Sequence, residues 1–232
     1  MKTSSLEMKL PKEISKEMIE YSPDLIKAQA QVALRNADVL KTRVCFLDIE
    51  TSGLTADFGY TFSYAIKILG EDEILGRVLL PSEIKQCLKL PSEADPEFDK
   101  VLLKELCSDL KKVDRIVTHF GSNFLFDTPF LRTRCIKYGL DFPTERSKFM
   151  EDFWRFCKKN LKLRNNRLQT VCEFYKIPTK EHKLTPEIWQ KALAGHNKCL
   201  DYIWTHNKED VVSLEKAWVL VYPYMTHAKQ GI

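Results

Sequence analysis

The sequence predicts an α/β fold, a mixed five-stranded sheet with three antiparallel strands followed by parallel ones, flanked by helices. Three observations predict it. A short apolar run, Val44-Cys45-Phe46-Leu47, β-branched at its start, breaks off in Asp48-Ile49-Glu50-Thr51-Ser52-Gly53, as a buried strand does where it leaves a sheet. Two further strand-like runs follow it through a short turn. Beyond them the apolar positions take helical spacing, and helices alternate with short strands.

The elements follow in order. Phe62 to Leu69 forms the second strand, Gly70-Glu71-Asp72-Glu73 the turn, and Ile74 to Leu80 the third strand. The stretch 81–96 holds three prolines and reads as a loop or irregular insert. Val101, Leu102, Leu106 and Leu110 give Phe98 to Val113 a helical stripe. Arg115 to His119 is a strand, and Thr128 to Tyr138 a helix stopped by Gly139, with Asp127 as its cap and Pro129 in its first turn. Phe149 marks a short fifth strand. Helices are expected at 152–159, 167–176 and 186–194, then a long one or a broken pair over 197–221. Residues 1–40 read as a polar helical extension, whose longer helix opens at Pro23 with Ser22 as cap, preceding a main domain over 41–232.

Composition narrows the function classes. A chain of 232 residues, 44% hydrophobic and 29% charged, reads as soluble and globular. No apolar run approaches the roughly 18 residues a membrane span needs, and the first residues are polar, so the expectation is an intracellular, cytoplasmic protein with no membrane partner. A net charge of +4 permits a polyanionic partner without demanding one. The seven cysteines show no C-x-x-C spacing, which argues against a structural zinc site and for reduced thiols.

The chemistry lies in the acids. Asp48 and Glu50 stand at positions i and i+2 of a strand and share a face. Two carboxylates that close repel unless a proton or a cation lies between them, and hard oxygen ligands select Mg²⁺ or Mn²⁺. An Asp-x-Glu pair is usually solvated charge; the apolar strand running into this one favours the metal, because α/β sheets place their chemistry at strand ends. Asp127 has an ordinary explanation as a helix cap, and a functional one as a third acid beside the first strand. His206 and Asp210 lie one turn apart on the last helix, with Val211, Leu214 and Trp218 extending the same side. Taken alone they are an ordinary surface pair.

Their order links them. Phe46-Leu-Asp-Ile-Glu-Thr-Ser-Gly-Leu54, Asn123-Phe-Leu-Phe-Asp-Thr-Pro-Phe-Leu131 and His206-Asn-Lys-Glu-Asp-Val-Val-Ser-Leu214 resemble the three motifs of the DEDD 3′–5′ exonuclease superfamily, over about residues 43–222. The connector from Leu161 to Gly195 resembles that of exonuclease domains akin to those of B-type DNA polymerases and their stand-alone relatives. The superfamily divides at the third motif into Tyr-x-x-x-Asp and His-x-x-x-x-Asp types. This chain carries His206 at the tyrosine spacing, and so resembles the Tyr branch with histidine substituted; Tyr202, one turn upstream, is the other candidate for the water-activating role.

The resemblance implies a ribonuclease H-like fold and two-metal hydrolysis of phosphodiesters. Two Mg²⁺ or Mn²⁺ ions would be held by Asp48, shared between them, with Glu50 and Asp210 completing one site and Asp127 supporting the other; His206 would orient or deprotonate the attacking water. The implied substrate is nucleic acid, with single-stranded DNA 3′ ends favoured, and any proofreading would serve a replication or repair protein in trans. Substrate contacts are expected from Thr51, Leu54, Asn123, Phe124, Arg164 and Arg167, the two arginines lying in a basic cluster with Lys158, Lys159 and Lys162. Arg132, Arg134 and Lys137 form a second set that could track a phosphate backbone, although surface cations usually serve only solubility. The remaining histidines, at 119, 182, 196 and 227, read as structural or exposed. Two alternatives stand beside this one: an RNA-trimming or endonucleolytic enzyme on the same site, and an inactive nuclease-like module that only binds nucleic acid.

Overall fold

The computed structural model describes residues 42–89, 97–121, 126–179 and 183–224. The extension expected over residues 1–40, and the substrate contacts expected of Asn123 and Phe124, lie outside the described residues.

Five strands form one sheet: β1 (Val44–Thr51), β2 (Thr61–Ile68), β3 (Ile74–Val78), β4 (Arg115–Thr118) and β5 (Phe149–Asp152). Their order is β3-β2-β1-β4-β5. The first three pair antiparallel through short turns, and β4 and β5 join parallel to β1. The mixed sheet expected from the sequence is therefore the one found. Strand β1 runs further than its apolar start suggests and carries Asp48 and Glu50 within it rather than just beyond it.

Seven helices are described: α1 (Pro81–Leu88), α2 (Lys100–Leu110), α3 (Asp127–Lys137), α4 (Phe153–Asn160), α5 (Leu168–Phe174), α6 (Pro186–Leu193) and α7 (Asn197–Val221). Helix α7 is continuous, which settles the choice between one long helix and a broken pair. Helix α1 corrects the first half of the loop expected over 81–96; residues 90–96 lie outside the described residues. Pro81 occupies its first turn, where a missing N–H and a fixed φ suit a helix start, and the Leu80 N–H donates to Glu83 Oε2 at 2.7 Å. Ile84 is buried beneath it. Pro81 therefore opens a helix rather than preventing one.

The two-residue period of β1 sorts its side chains between two cores. Cys45, Leu47 and Ile49 join Leu102, Leu106, Phe130 and Leu131 on one face. Val44 and Phe46 join Phe153, Val171, Val211, Leu214 and Trp218 on the other. Asp48 and Glu50 continue the second row, so the strand that buries Phe46 delivers both acids to the face covered by α7. Strand β2 matches this pattern. Its Ser63, Ala65 and Lys67 face α7, where Ser63 meets Asn207, Ala65 shares a core with Val211, and Lys67 meets Glu215 at 3.3 Å. Asn207, Val211 and Glu215 are each one turn apart, so a single helix face lies along a single strand face.

Candidate active site

Helix α7 brings the third motif onto the first. His206 Nε2 lies 3.6 Å from Glu50 Oε1 and 3.8 Å from Asp210 Oδ2. Ligand atoms of Glu50, His206 and Asp210 all lie within 4.8 Å of one another, close enough to hold one cation. The helical i, i+4 spacing aims His206 and Asp210 together, and the strand's i, i+2 spacing aims Glu50 beside Asp48. Strand β1 is irregular in its pairing with β2 between Glu50 and Thr51, the kind of bulge that re-aims side chains at a strand end.

Asp48 is held from a distance along the chain. Asn207 Nδ2 donates to Asp48 Oδ2 at 2.6 Å, and Ser63 Oγ donates to Asn207 Oδ1 at 2.7 Å. Asn207 is wholly buried, so both ends of its amide are committed and its orientation is set. One carboxylate oxygen of Asp48 is thus positioned by β2 and α7 together.

Asp127 enters from α3. It does not cap that helix: Phe126 holds the capping position, Asp127 is the first helical residue, and no side chain makes a cap bond. The helix start is tied down by the backbone instead, with the Thr128 N–H donating to Gly121 O at 2.6 Å. The Asp127 carboxyl is buried, and Oδ2 has no hydrogen-bond partner among the described residues. Burial pushes its pKa well above the usual carboxylate range, and the charges of Asp48, Asp152, Glu50 and Asp210 push the same way. The three motif segments therefore converge electrostatically on one place. Gly121 is needed for the approach: a Cβ there would sit 2.1 Å from Asp127 Oδ2 and 2.8 Å from Thr118 Cβ.

These donors suit a divalent metal of the hard class. They are mainly carboxylate oxygens, one of them buried without a partner, and their mutual repulsion falls when a cation lies between them.

Other expected residues fall elsewhere. Tyr202 directs its hydroxyl to Lys183 O at 3.4 Å, whereas His206 sits with Glu50 and Asp210. Thr51 donates its hydroxyl to Gly53 O at 2.8 Å. Leu54 is 85% exposed at the tip of the β1–β2 loop, and Phe58 in the same loop is more exposed still. Arg164 is ion-paired with Glu173 at 2.6 Å, and Arg167 precedes α5 on the surface. Arg134 corrects an expectation: it is buried, bonded through Nε and Nη2 to Asp99, and so belongs to the core and not to a phosphate track. Sequence reasoning gave no role to Ser63, Asn207, Gly121 or Asp152. Of these, Gly121 and Asn207 stand beside motif residues, while Ser63 and Asp152 carry no local signal.

Among the described residues no helix is long and apolar enough to cross a membrane. No curated protein matches the chain. Solved structures with a similar course include apo Exonuclease I, at 15% identity and a TM-score of 0.48, covering 78% of this chain and 42% of that one. A second Exonuclease I structure, whose report concerns how processivity is achieved, matches at 15% identity and a TM-score of 0.49, covering 78% of this chain and 40% of that one. E. coli Exonuclease I in complex with a 5cy-dA13 oligonucleotide matches at 14% identity and a TM-score of 0.45, with the same coverage. The chain thus spans less than half the length of these proteins. A family model described as RNase_H_2, of the RNase_H superfamily, matches residues 45–222. The chain, with its mixed sheet and its acids gathered on one face, belongs to the RNase_H superfamily, a nuclease-type hydrolase superfamily.

Proposed function

We propose that the chain is a metal-dependent 3′–5′ exonuclease that hydrolyses phosphodiester bonds, with single-stranded DNA as the favoured substrate. The observation that carries this reading is the meeting of Glu50, His206 and Asp210 beside Asp48. Asp48, Glu50, Asp127 and Asp210 would hold two Mg²⁺ or Mn²⁺ ions, Asp48 serving both. Such ions supply Lewis-acid stabilisation to the attacking and leaving oxygens of an in-line displacement.

The chain's own groups divide the remaining work. His206 takes or orients the proton of the attacking water at Nε2, the nitrogen that faces Glu50 and Asp210. An imidazole suits this better than a phenol, because its unperturbed pKa is about 6.5. Asn207 keeps Asp48 pointed at the site, and Ser63 keeps Asn207 from turning. Trp204, Lys208 and Glu209 lie on the part of α7 that lines a cleft with Lys67 and Ile74. The histidine at the tyrosine spacing makes the chain a variant of the Tyr branch. Any proofreading role would be served in trans to a replication or repair protein.

The test is hydrolysis of 5′-labelled single-stranded and duplex DNA and RNA with Mg²⁺, Mn²⁺ or EDTA. A ladder shortening from the 3′ end, dependent on metal and strongest on single-stranded DNA, is the expected result. Internal cuts from the outset, or the same cleavage in EDTA, contradict the reading.

A further inference from the structure

Where β4 leaves the sheet, Phe120 adopts a φ of +66°, a left-handed conformation that bulky residues rarely take. The strain turns a large ring outward. Phe120 is 46% exposed, although its ring packs edge-on against Trp154, 5.0 Å between centroids at 82°. Trp154 lies in the first turn of α4 and is itself only partly buried. One turn further along α4, Lys158 Nζ stands 4.8 Å from the centre of the Trp154 ring. Arg155 and Lys159 are exposed on the same helix.

The location of this pair matters more than its exposure. Phe120 immediately precedes Gly121, whose Cα lies so near the Asp127 carboxylate that no Cβ fits between them. Its backbone N–H donates to Asp152 Oδ1 at 3.3 Å, and the Asp152 charge is felt by Asp127. Trp154 follows Asp152 by two residues. One exposed ring, a second ring that braces it edge-on, and a cation over that second ring therefore lie beside the acid cluster. A hydrophobic core has no use for a ring left open to water on a strained backbone, and an acid site bordered by cations favours a ligand that carries both flat rings and phosphates.

We infer that Phe120, braced edge-on by Trp154, offers its ring as a stacking platform for a base of the single-stranded nucleic-acid substrate, with Lys158 close by to meet its backbone phosphate. Successive bases stack on such rings with little regard to sequence, and a lysine or arginine at the ring edge adds charge attraction to the phosphates. The inference rests on the nuclease reading of the acids and extends it to where the strand lies.

Binding in EDTA separates the two. Fluorescence anisotropy is measured with a 5′-fluorescein oligothymidylate, and with the same oligomer made abasic over its last few 3′ nucleotides. The wild type is expected to bind the base-bearing strand roughly tenfold more tightly. Trp154→Ala and Phe120→Gly should lose that preference, and Trp154→Phe should keep most of it. Phe120→Gly also relieves the left-handed strain, so its melting temperature should hold while its preference disappears, a pairing that a merely structural ring would not give. In the metal-dependent assay both variants should raise KM far more than they lower kcat. A wild type indifferent to the missing bases, or variants that retain the full preference, overturns the platform. If the preference behaves as expected but the wild type does not cleave, the nuclease reading fails and the platform stands; if cleavage is normal and the variants bind as the wild type does, the reverse holds.

Discussion

Asp48 and Asp127 belong to the same cluster and are held in different ways. Asp48 is gripped by Asn207, which is gripped in turn by Ser63, so its position is set before any ligand arrives. Asp127 is buried beside Gly121 with one oxygen lacking a partner among the described residues, and its neighbour Thr118 has a buried hydroxyl in the same condition. Buried polar groups left unsatisfied cost about 1–3 kcal/mol each. The first half of the site is thus prepared by protein hydrogen bonds, while the second carries a debt that a cation or a proton can relieve. Such an arrangement fits a site whose rigid half fixes geometry and whose strained half attracts the metal.

The most severe way to break this comparison is to remove an acid from the site altogether. Asp48→Ala and Asp210→Ala should each lower metal-dependent cleavage by about a thousandfold or more, on the order of 4 kcal/mol in the barrier, with an unchanged circular dichroism spectrum. His206→Ala should cost about a hundredfold in kcat, the usual scale for losing a general base. Tyr202→Phe should leave the rate near wild type, since that hydroxyl faces Lys183; a large loss would transfer the water-activating role to Tyr202.

The two halves can also be tested separately. Asn207→Ala leaves Ser63 and Asp48 without their buried partner and should cost about 1–3 kcal/mol in urea unfolding, together with a loss of activity. Gly121→Ala should cost about as much through overpacking, and should displace Asp127 while leaving Asp48 in place. If the Gly121 variant cleaves as the wild type does, Asp127 has no part in the chemistry.

The smallest expected effect is one of pH. His119 directly follows β4; its ring nitrogens are buried, and burial lowers its pKa to about 4, against the opposing pull of the Asp152 carboxylate. The folded value lies below the unfolded one, so the unfolded chain binds the proton more readily. Stability from this group is therefore full above about pH 6.5 and is lost as pH falls toward 4. Between pH 6.5 and about pH 5 the loss should be about 1.5 kcal/mol, and His119→Gln should flatten that part of the urea-midpoint profile.

The sheet and the acids were legible because their signals are local. An apolar run ending in Asp-x-Glu, and a histidine one turn before an aspartate, need no knowledge of the rest of the chain. Asn207 gripping Asp48 was not legible, because its partners are 144 and 159 positions away. Arg134 was misread for the same reason: its buried partner Asp99 lies 35 positions off, and without it an arginine on a helix reads as surface. Helix α1 was missed because Pro81 and the prolines after it suggested a break. The capping role given to Asp127 failed because Phe126 holds the capping position and the Thr128 N–H is met by the Gly121 carbonyl instead of by a side chain.

The central claim is that the acids gathered by β1, α3 and α7 form a divalent-metal site. The most direct measurement is the melting temperature of the wild type and of Asp48→Ala during titration with Mn²⁺. A ligand bound only by the native state adds about 2.7 kcal/mol at a hundredfold excess over its dissociation constant. The wild type should therefore melt progressively higher as Mn²⁺ rises, and the variant should show little response. A wild type that does not respond, or a variant that responds equally, would contradict the metal site.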